Sequence, residues 1–527
     1  MIDIKRIPDD VIIKTSEGNT GLYDSDIKID FETAEKGLKL YITAKEKHPE
    51  FIVLRWNCRT EKPVRVFGDK WERAYADLSW TGIDPEAFMP WYFFVNDGKE
   101  TGGCGVMVQS NSFVSFEYDA QGVSAWVDVR CGADGVRLNG RRLHAATFVC
   151  RHYKGISAFE AAEQFCNVLS PSPILPKTPV YGSNNWYYAY GKSTRGEILE
   201  DARLLAELTD ENENRPYMVI DDGWTSNSTN GPWFPGEHYG DMKTLADEFR
   251  KMGVRPGIWV RLLHDSEFEE KNPQAVIIRN GHTCAIDPSH PDGREYIKEV
   301  LLRIKAWGYE LLKHDFSTFD MFGSYGFSLN GSITNTDGWS FYDKSKTSAE
   351  IVLDFYRLIR ETVGDMIVIG CNTVSHLCAG LVEINRTGDD TSGYSWTRTR
   401  ALGINTLAFR MPQNRSFYMC DADCVGLLEE NIPWKLNRRW LDLLCKSGTP
   451  LFVSCQPSAV TEEMKKDLRA AYKAASIQCN KAVPLDWEYN KNPAYWSIDG
   501  EYIRYDWVDD SYPVLLKGRV PGFGDKL

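Results

Sequence analysis

From residue 180 to residue 454 the chain repeats one unit, a short apolar run followed by a longer amphipathic one. The apolar runs fall at 180–184, 217–221, 257–262, 311–315, 366–371, 382–385, 406–409 and 451–454. They read as strands, and continuous apolar runs suit strands buried on both faces. Between them, "RGEILEDARLLAELT", "LADEFRKMG", "REYIKEVLLRIKAWG" and "SAEIVLDFYRLIRETVG" space their apolar residues as one face of a helix does. Parallel strands need such crossovers, and eight strand–helix units have the size and period of a (β/α)8 barrel. The repeat constrains function as well as fold. In a barrel the C-terminal ends of the strands converge on one mouth, so side chains far apart in sequence share one site.

A chain of 527 residues exceeds one ordinary core, and the flanking segments read differently. Before the repeat, "GLKLYITA", "FIVLRWNC", "PVRVFGD", "GGCGVMVQ", "FVSFEYDA", "SAWVDVRC" and "AATFVCRH" are short strand-like runs separated by Gly, Asp and Asn turns. That pattern suggests a β-sandwich. "SAFEAAEQFCNVL" reads as a helix with Ser157 as N-cap and Glu160 at the capping-box position. Pro171, Pro173, Pro176 and Pro179 then make a stiff linker. After the repeat, one helix ("TEEMKKDLRAAYKAA") precedes short strands such as "AYWSID" and "YIRYDWV". The expected fold is α/β: an N-terminal β-sandwich over 1–170, a central (β/α)8 TIM barrel over 171–456 and a small C-terminal β domain over 457–527.

Composition removes several functions. A net charge of −13 argues against nucleic acid or an anionic membrane as partner, because phosphate binding needs a basic surface. The thirteen cysteines are scattered, without CxxC or zinc-ligand spacing. The opening "MIDIKRIPDD" has no signal-peptide pattern, and no run approaches a membrane span. A cytoplasmic protein with reduced thiols is expected. His264, His282, His290 and His376, with Asp265 and Asp287, match no metal-binding spacing. Neither metal nor cofactor is expected.

The strand ends carry the chemistry. "YMVIDDGW" ends in Asp221 and Asp222, "ELLKHDFSTFD" carries Lys313 and Asp315, and "LVEINRTGDD" carries Arg386, Asp389 and Asp390. Carboxylates crowded into one mouth repel unless cations intervene, and Lys313 and Arg386 are the candidates for that. Aromatic residues accompany them: Trp186 after the first strand, Trp224 after the second, and Trp259 with Arg261 on the third. Paired carboxylates beside flat apolar rings are the equipment of glycoside hydrolysis, with a small saccharide as partner.

The motifs "YGSNNWYYAYG", "VIDDGW", "RPGIWVR", "LLKHDFS", "NRTGDD" and "KSGTPLFVS" resemble, in order, the barrel motifs of the α-galactosidases of glycoside hydrolase families 36 and 27. The sandwich in front and the small β domain behind are similar to family 36. The resemblance implies a retaining exo-acting α-galactosidase. It places the nucleophile on Asp315 and the acid/base on Asp389, with the adjacent Asp390 as rival. It assigns Asp221 and Asp222 to the sugar 4- and 6-hydroxyls and Lys313 to the sugar as well. Arg386, Arg261, Trp186 and Trp224 complete the expected binding set, the two tryptophans as platforms. The sequence departs from the family at "GCNTVSH", where Cys371 and Asn372 stand in a loop that the family places near the 2-substituent. It departs again at "GDDTS", where Ser392 replaces a second flanking Asp. Another glycone such as α-N-acetylgalactosaminide, transglycosylation, and a non-catalytic sugar-binding protein are the alternatives. The N-terminal domain is shorter than many in the family, where it often helps form oligomers. A homo-oligomer is compatible with the sequence.

Overall fold

The structure is a computed structural model. It describes residues 2–508 except 330, 331, 335, 429–431, 478 and 479. The last part of the expected C-terminal domain, 509–527, lies outside the described residues.

The N-terminal part folds as two six-stranded antiparallel sheets. Burial alternates along strands such as Asp10–Thr15 and Leu38–Thr43, as it must when one face packs and the other meets water. The buried faces meet through aromatic residues: Trp56 of one sheet lies 5.5 Å from Phe148 of the other, and Phe93 lies 5.4 Å from Phe116. Helix Ala158–Leu169 follows, with Ser157 Oγ accepting the amide of Glu160 at 3.1 Å.

The repeat folds as one parallel sheet of nine strands. Its order is Met419–Asp421, Ile384–Arg386, Ile367–Gly370, Leu311–His314, Arg255–Val260, Tyr217–Ile220, Tyr181–Asn184, Leu451–Cys455 and Cys424–Leu427. Crossover helices include Arg195–Leu208 and Ser348–Val363, whose N-caps Thr194 and Thr347 form complete capping boxes with Glu197 and Glu350. The sheet curls. Its two outermost strands are separated in the chain only by Ala422 and Asp423, where Asp423 has φ 72°. Val219, Leu311, Ile369, Ile384, Cys424 and Phe452 form one buried cluster drawn from strands all along the sheet. The strands Ala482–Pro484, Tyr495–Ile498 and Glu501–Arg504 form a further antiparallel sheet.

One expected strand is absent. Residues 406–409 lie within helix Asn405–Arg410, which continues a π-helical turn, Thr399–Ile404. Leu402, Ile404, Leu407, Ala408 and Phe409 are all buried, as are Asn405 and Thr406, so the segment is buried on every side and shows no helical period. The strands that occupy this place, Met419–Asp421 and Cys424–Leu427, are interrupted by acidic residues and do not read as an apolar run. Among the described residues no helix is long and apolar enough to cross a membrane.

Candidate active site

The two-residue period of a strand builds the site from the core outward. Val219, Leu311, Ile369 and Ile384 fill the inside of the curled sheet. Two residues on, along the same faces, stand Asp221, Lys313, Cys371 and Arg386, and two residues beyond Lys313 stands Asp315. His314, on the opposite face, packs near Phe355 and Tyr356. An apolar strand that finishes on Lys-His-Asp therefore delivers Lys313 and Asp315 to the mouth and His314 to the helix layer.

Lys313 Nζ donates to Asp221 Oδ2 at 2.8 Å, and both groups are buried. Burial pushes the Asp221 carboxyl up, and Lys313 opposes it. Asp222 accepts from Ser228 Oγ at 2.8 Å and from the amide of Gly223 at 2.7 Å. Burial nevertheless raises its pKa to about 6. The turn that holds the pair needs Gly223: its φ is +101°, and a Cβ there would lie 2.3 Å from the Gly191 carbonyl oxygen.

Asp315 is aimed by its surroundings. Trp259 Nε1 donates to Oδ2 at 3.2 Å, and the amide of Phe316 donates to Oδ1 at 2.7 Å. Phe316 takes the left-handed conformation, φ 61°, which is costly for a bulky residue and marks a constrained turn. Burial alone would raise the Asp315 carboxyl, but Arg73 and Lys313 outweigh it and hold it below the usual carboxylate range.

Asp390 has the matching arrangement. Trp186 Nε1 donates to Oδ2 at 3.2 Å, and Arg386 Nη2 donates to Oδ1 at 3.2 Å. Burial acts to raise this carboxyl too, but Arg386, Arg73, Lys313 and Arg398 together hold it low. The charge of Asp390 pushes the Asp315 carboxyl up, so the two share one electrostatic field. Asp389 is differently placed. Arg73 Nη2 lies 2.9 Å from Oδ1 and Arg398 Nη2 lies 3.1 Å from Oδ2, which clamps both oxygens. The Asp389 side chain is 13% exposed, that of Asp390 33%.

Three members of the expected binding set have other work. Trp224 is fully buried, donates Nε1 to the carbonyl of Trp259 at 2.8 Å and packs on Trp233 and Trp307. It supports Trp259 and offers no platform. Arg261 is committed to Asp320, with Nη2 to Oδ1 at 2.6 Å, and lies over the Phe316 ring. Asn372 spends both ends of its amide, on Glu72 and on the amide of Phe319. Cys371 is buried, with its Sγ 3.6 Å from Arg386 Nη1 and 3.8 Å from Arg73 Nη1. Burial pushes its thiol well up, so it stays protonated. Trp186 is half-buried beside Asp390 and tilts against Tyr190.

Several residues at the mouth were not expected from the sequence. Glu72, Arg73 and Tyr75 arrive from the sandwich, more than two hundred residues from any strand-end carboxylate but Asp221 and Asp222. Asp423, at the kink between the outermost strands, pairs with Arg386 at 3.2 Å and accepts from Tyr187 Oη. Arg398 follows the Asp389–Asp390 loop. Nothing in a single sequence ties Arg73 to Asp389. In the sequence Asp423 stands in "CDADC", between Cys420 and Cys424.

Among the described residues no group of three His, Cys, Asp or Glu is placed to hold a metal. His264 pairs with Glu269, His290 caps the helix beginning at Pro291, and His376 bonds the Val106 carbonyl while stacking on Trp91.

No protein-family model matches the sequence, and no curated protein matches it. Solved structures do. The α-galactosidase of Thermus thermophilus, TtGalA, in complex with p-nitrophenyl α-D-galactopyranoside, aligns over 94% of this chain and 97% of its own at 16% identity, TM-score 0.62. The family 36 α-galactosidase AgaA of Geobacillus stearothermophilus aligns over 90% and 77% at 12% identity, TM-score 0.62. The α-galactosidase of Lactobacillus brevis aligns over 92% and 74% at 10% identity, TM-score 0.60. The fold of this chain resembles that of the family 36 α-galactosidases.

Proposed function

We propose that this chain is a retaining, exo-acting α-glycosidase that hydrolyses terminal α-galactosides, with Asp315 as nucleophile and Asp390 as acid/base. One observation carries the reading. Two carboxylates at the ends of different strands are each oriented by an indole N–H, Trp259 on Asp315 and Trp186 on Asp390, inside one field of cations. The structural neighbours, α-galactosidases in complex with p-nitrophenyl α-galactoside or stachyose, support the substrate class.

The groups divide the work as follows. Asp315, held anionic by Arg73 and Lys313, attacks the anomeric carbon. Asp390, held low by its four cations in the free site, takes up a proton from solvent as substrate binds and passes it to the departing oxygen, and the bond to the aglycone breaks as the ester to Asp315 forms. Asp390, now a base, takes a proton from water, which displaces the ester and frees the sugar. Asp390 is preferred to Asp389 because Asp389 has both oxygens clamped by arginines, whereas Asp390 is the more exposed of the two. Asp221, Asp222 and Lys313 bind sugar hydroxyls, and Trp186 borders the ring. The loop after Ile367–Gly370 supports a plain galactoside over a 2-acetamido one, since Asn372, Thr373 and Ser375 are buried and bonded internally.

The same reading takes the curled sheet as a closed (β/α)8 barrel. Counting Met419–Asp421 and Cys424–Leu427 as one strand kinked at Asp423 turns nine strands into eight positions. It keeps the limits 1–170, 171–456 and 457–527 for the three domains, a small saccharide as ligand and a cytoplasmic setting. The test is a screen of aryl α-glycosides with wild type beside Asp315→Asn. Turnover of the α-galactoside by wild type and its loss in the variant is the expected result. Turnover that survives the substitution sinks the assignment.

A further inference from the structure

We propose that Arg73, a residue of the N-terminal sandwich, is a positioning residue for the acid/base: it bridges Asp389 and Asp390 from outside the curled sheet and balances their charge. The inference rests on the glycosidase reading above and adds that the site is incomplete without the sandwich.

The segment that carries Arg73 is tied to the strand ends by its backbone. The amide of Ala74 donates to the Thr387 carbonyl at 2.9 Å, and the amide of Asp389 donates to the Ala74 carbonyl at 3.1 Å. Arg410 and Gln413 hold Asp69 at 3.0 and 2.9 Å. The amide of Ser375 reaches the Trp71 carbonyl at 3.3 Å. From this support the Arg73 guanidinium enters the mouth, buried. Nη2 lies 2.9 Å from Asp389 Oδ1, and Nη1 lies 3.9 Å from Asp390 Oδ1 and 3.8 Å from Cys371 Sγ. Its Nε donates to Tyr75 Oη at 3.1 Å, and Tyr75 Oη donates to Glu72 Oε1 at 2.6 Å. Glu72 in turn accepts from Asn372 and from the amide of Gly326, so the fork is braced from both the sandwich and the barrel loops.

The neighbouring cations do not duplicate it. Arg386 is shared between Asp390 and Asp423, and Arg398 spends Nη2 on Asp389 and Nε on backbone carbonyls. Asp390 also faces Lys313 and Asp315 from the fourth strand and Tyr187 and Tyr190 from the segment after the first. The planar fork holds its donors in fixed, spread directions that reach two carboxylates and a hydroxyl, whereas the ammonium of lysine is a compact point charge.

Removing a cation lets a neighbouring carboxylate keep its proton to higher pH. In the full-length chain, Arg73→Gln should therefore move the kcat/KM–pH profile upward by about one pH unit. It should cost about a hundredfold on a galactoside with a poor leaving group and about tenfold or less on a dinitrophenyl galactoside. Arg73→Lys, which restores charge without the fork, should return the profile close to its wild-type position with the rate still reduced. Tyr75→Phe, which leaves all charges in place, should shift the profile little and lower the rate on the poor leaving group. If Arg73→Gln does not fold, the split between leaving groups in Arg73→Lys and Tyr75→Phe decides. An unmoved profile in folded Arg73→Gln would make Arg73 a structural strut, and equal losses on both substrates in the folded variants would place its effect on Asp315 instead of the acid/base; either result overturns the inference. Wild type that turns over no aryl α-glycoside overturns the glycosidase reading instead, and the two failures are told apart by that control.

Discussion

Lys313 Nζ sits 2.8 Å from Asp221 Oδ2, with both charges out of water at the ends of strands that are two places apart in the sheet. Each compensates the other's desolvation. Lys313→Met leaves Asp221 buried without its cation, which costs roughly 3–5 kcal/mol where no other group relaxes. The expected result is a lower melting temperature together with loss of turnover. Adding Asp221→Asn should recover much of the melting temperature and none of the activity. Recovery of activity in the double variant would show that the pair binds no sugar.

The roles of the carboxylates separate by leaving group. Asp315→Ala should abolish turnover of every substrate, and azide should restore some on an activated one, with inverted product. Asp390→Ala should spare dinitrophenyl galactoside, whose leaving group needs no proton, and lose roughly a hundredfold or more on an alkyl galactoside. Asp389→Asn should lower both substrates alike. Exchange of the Asp389 and Asp390 patterns in the kinetics would return the acid/base role to Asp389.

Asp222 predicts a pH-dependent stability. Its folded pKa of about 6 stands above the ordinary aspartate value of 3.8, so the folded state is favoured while the group is protonated. That advantage is full below about pH 4 and fades as pH rises through about 6; two units correspond to about 3 kcal/mol at most. Asp222→Asn should therefore melt higher than wild type at pH 8 and equal to it at pH 4, with sugar binding weakened at both. Equal melting at pH 8 would contradict the burial cost.

Specificity follows from the same two carboxylates. Charged hydrogen bonds to hydroxyls contribute roughly 1.5–3 kcal/mol each, and an epimer leaves a buried carboxylate unpaired. The galacto substrate should exceed the gluco one in kcat/KM by about two orders of magnitude. A preference for α-glucosides would remove Asp221 and Asp222 from the hydroxyl-binding role.

The sequence made some of this site legible and hid the rest for physical reasons. Asp315, Lys313 and Asp221 were legible because a buried strand alternates, and an apolar run ending in charges must point one set of them at the mouth. Asp389 and Asp390 are not separable by period, because the loop after Ile384–Arg386 leaves the strand, and only the arginines around each distinguish them. The run at 406–409 reads as a strand because a helix buried on all sides loses its period, while the strands that take its place are broken by Ala422 and Asp423. Trp224 looked like a platform from its place after strand two, but an aromatic there can equally turn into the core, as this one does beneath Trp259. Arg73 was invisible: it reaches the site through a tertiary crossing between the sandwich and the segment after Ile384–Arg386.

Proton NMR of the first turnovers on an aryl α-galactoside tests the central claim most directly. Attack by Asp315 and a second displacement by water predict α-galactose as the first-formed anomer, with the β form growing in later by mutarotation. β-Galactose appearing first would contradict a covalent intermediate on Asp315, and with it the proposed pairing of Asp315 and Asp390.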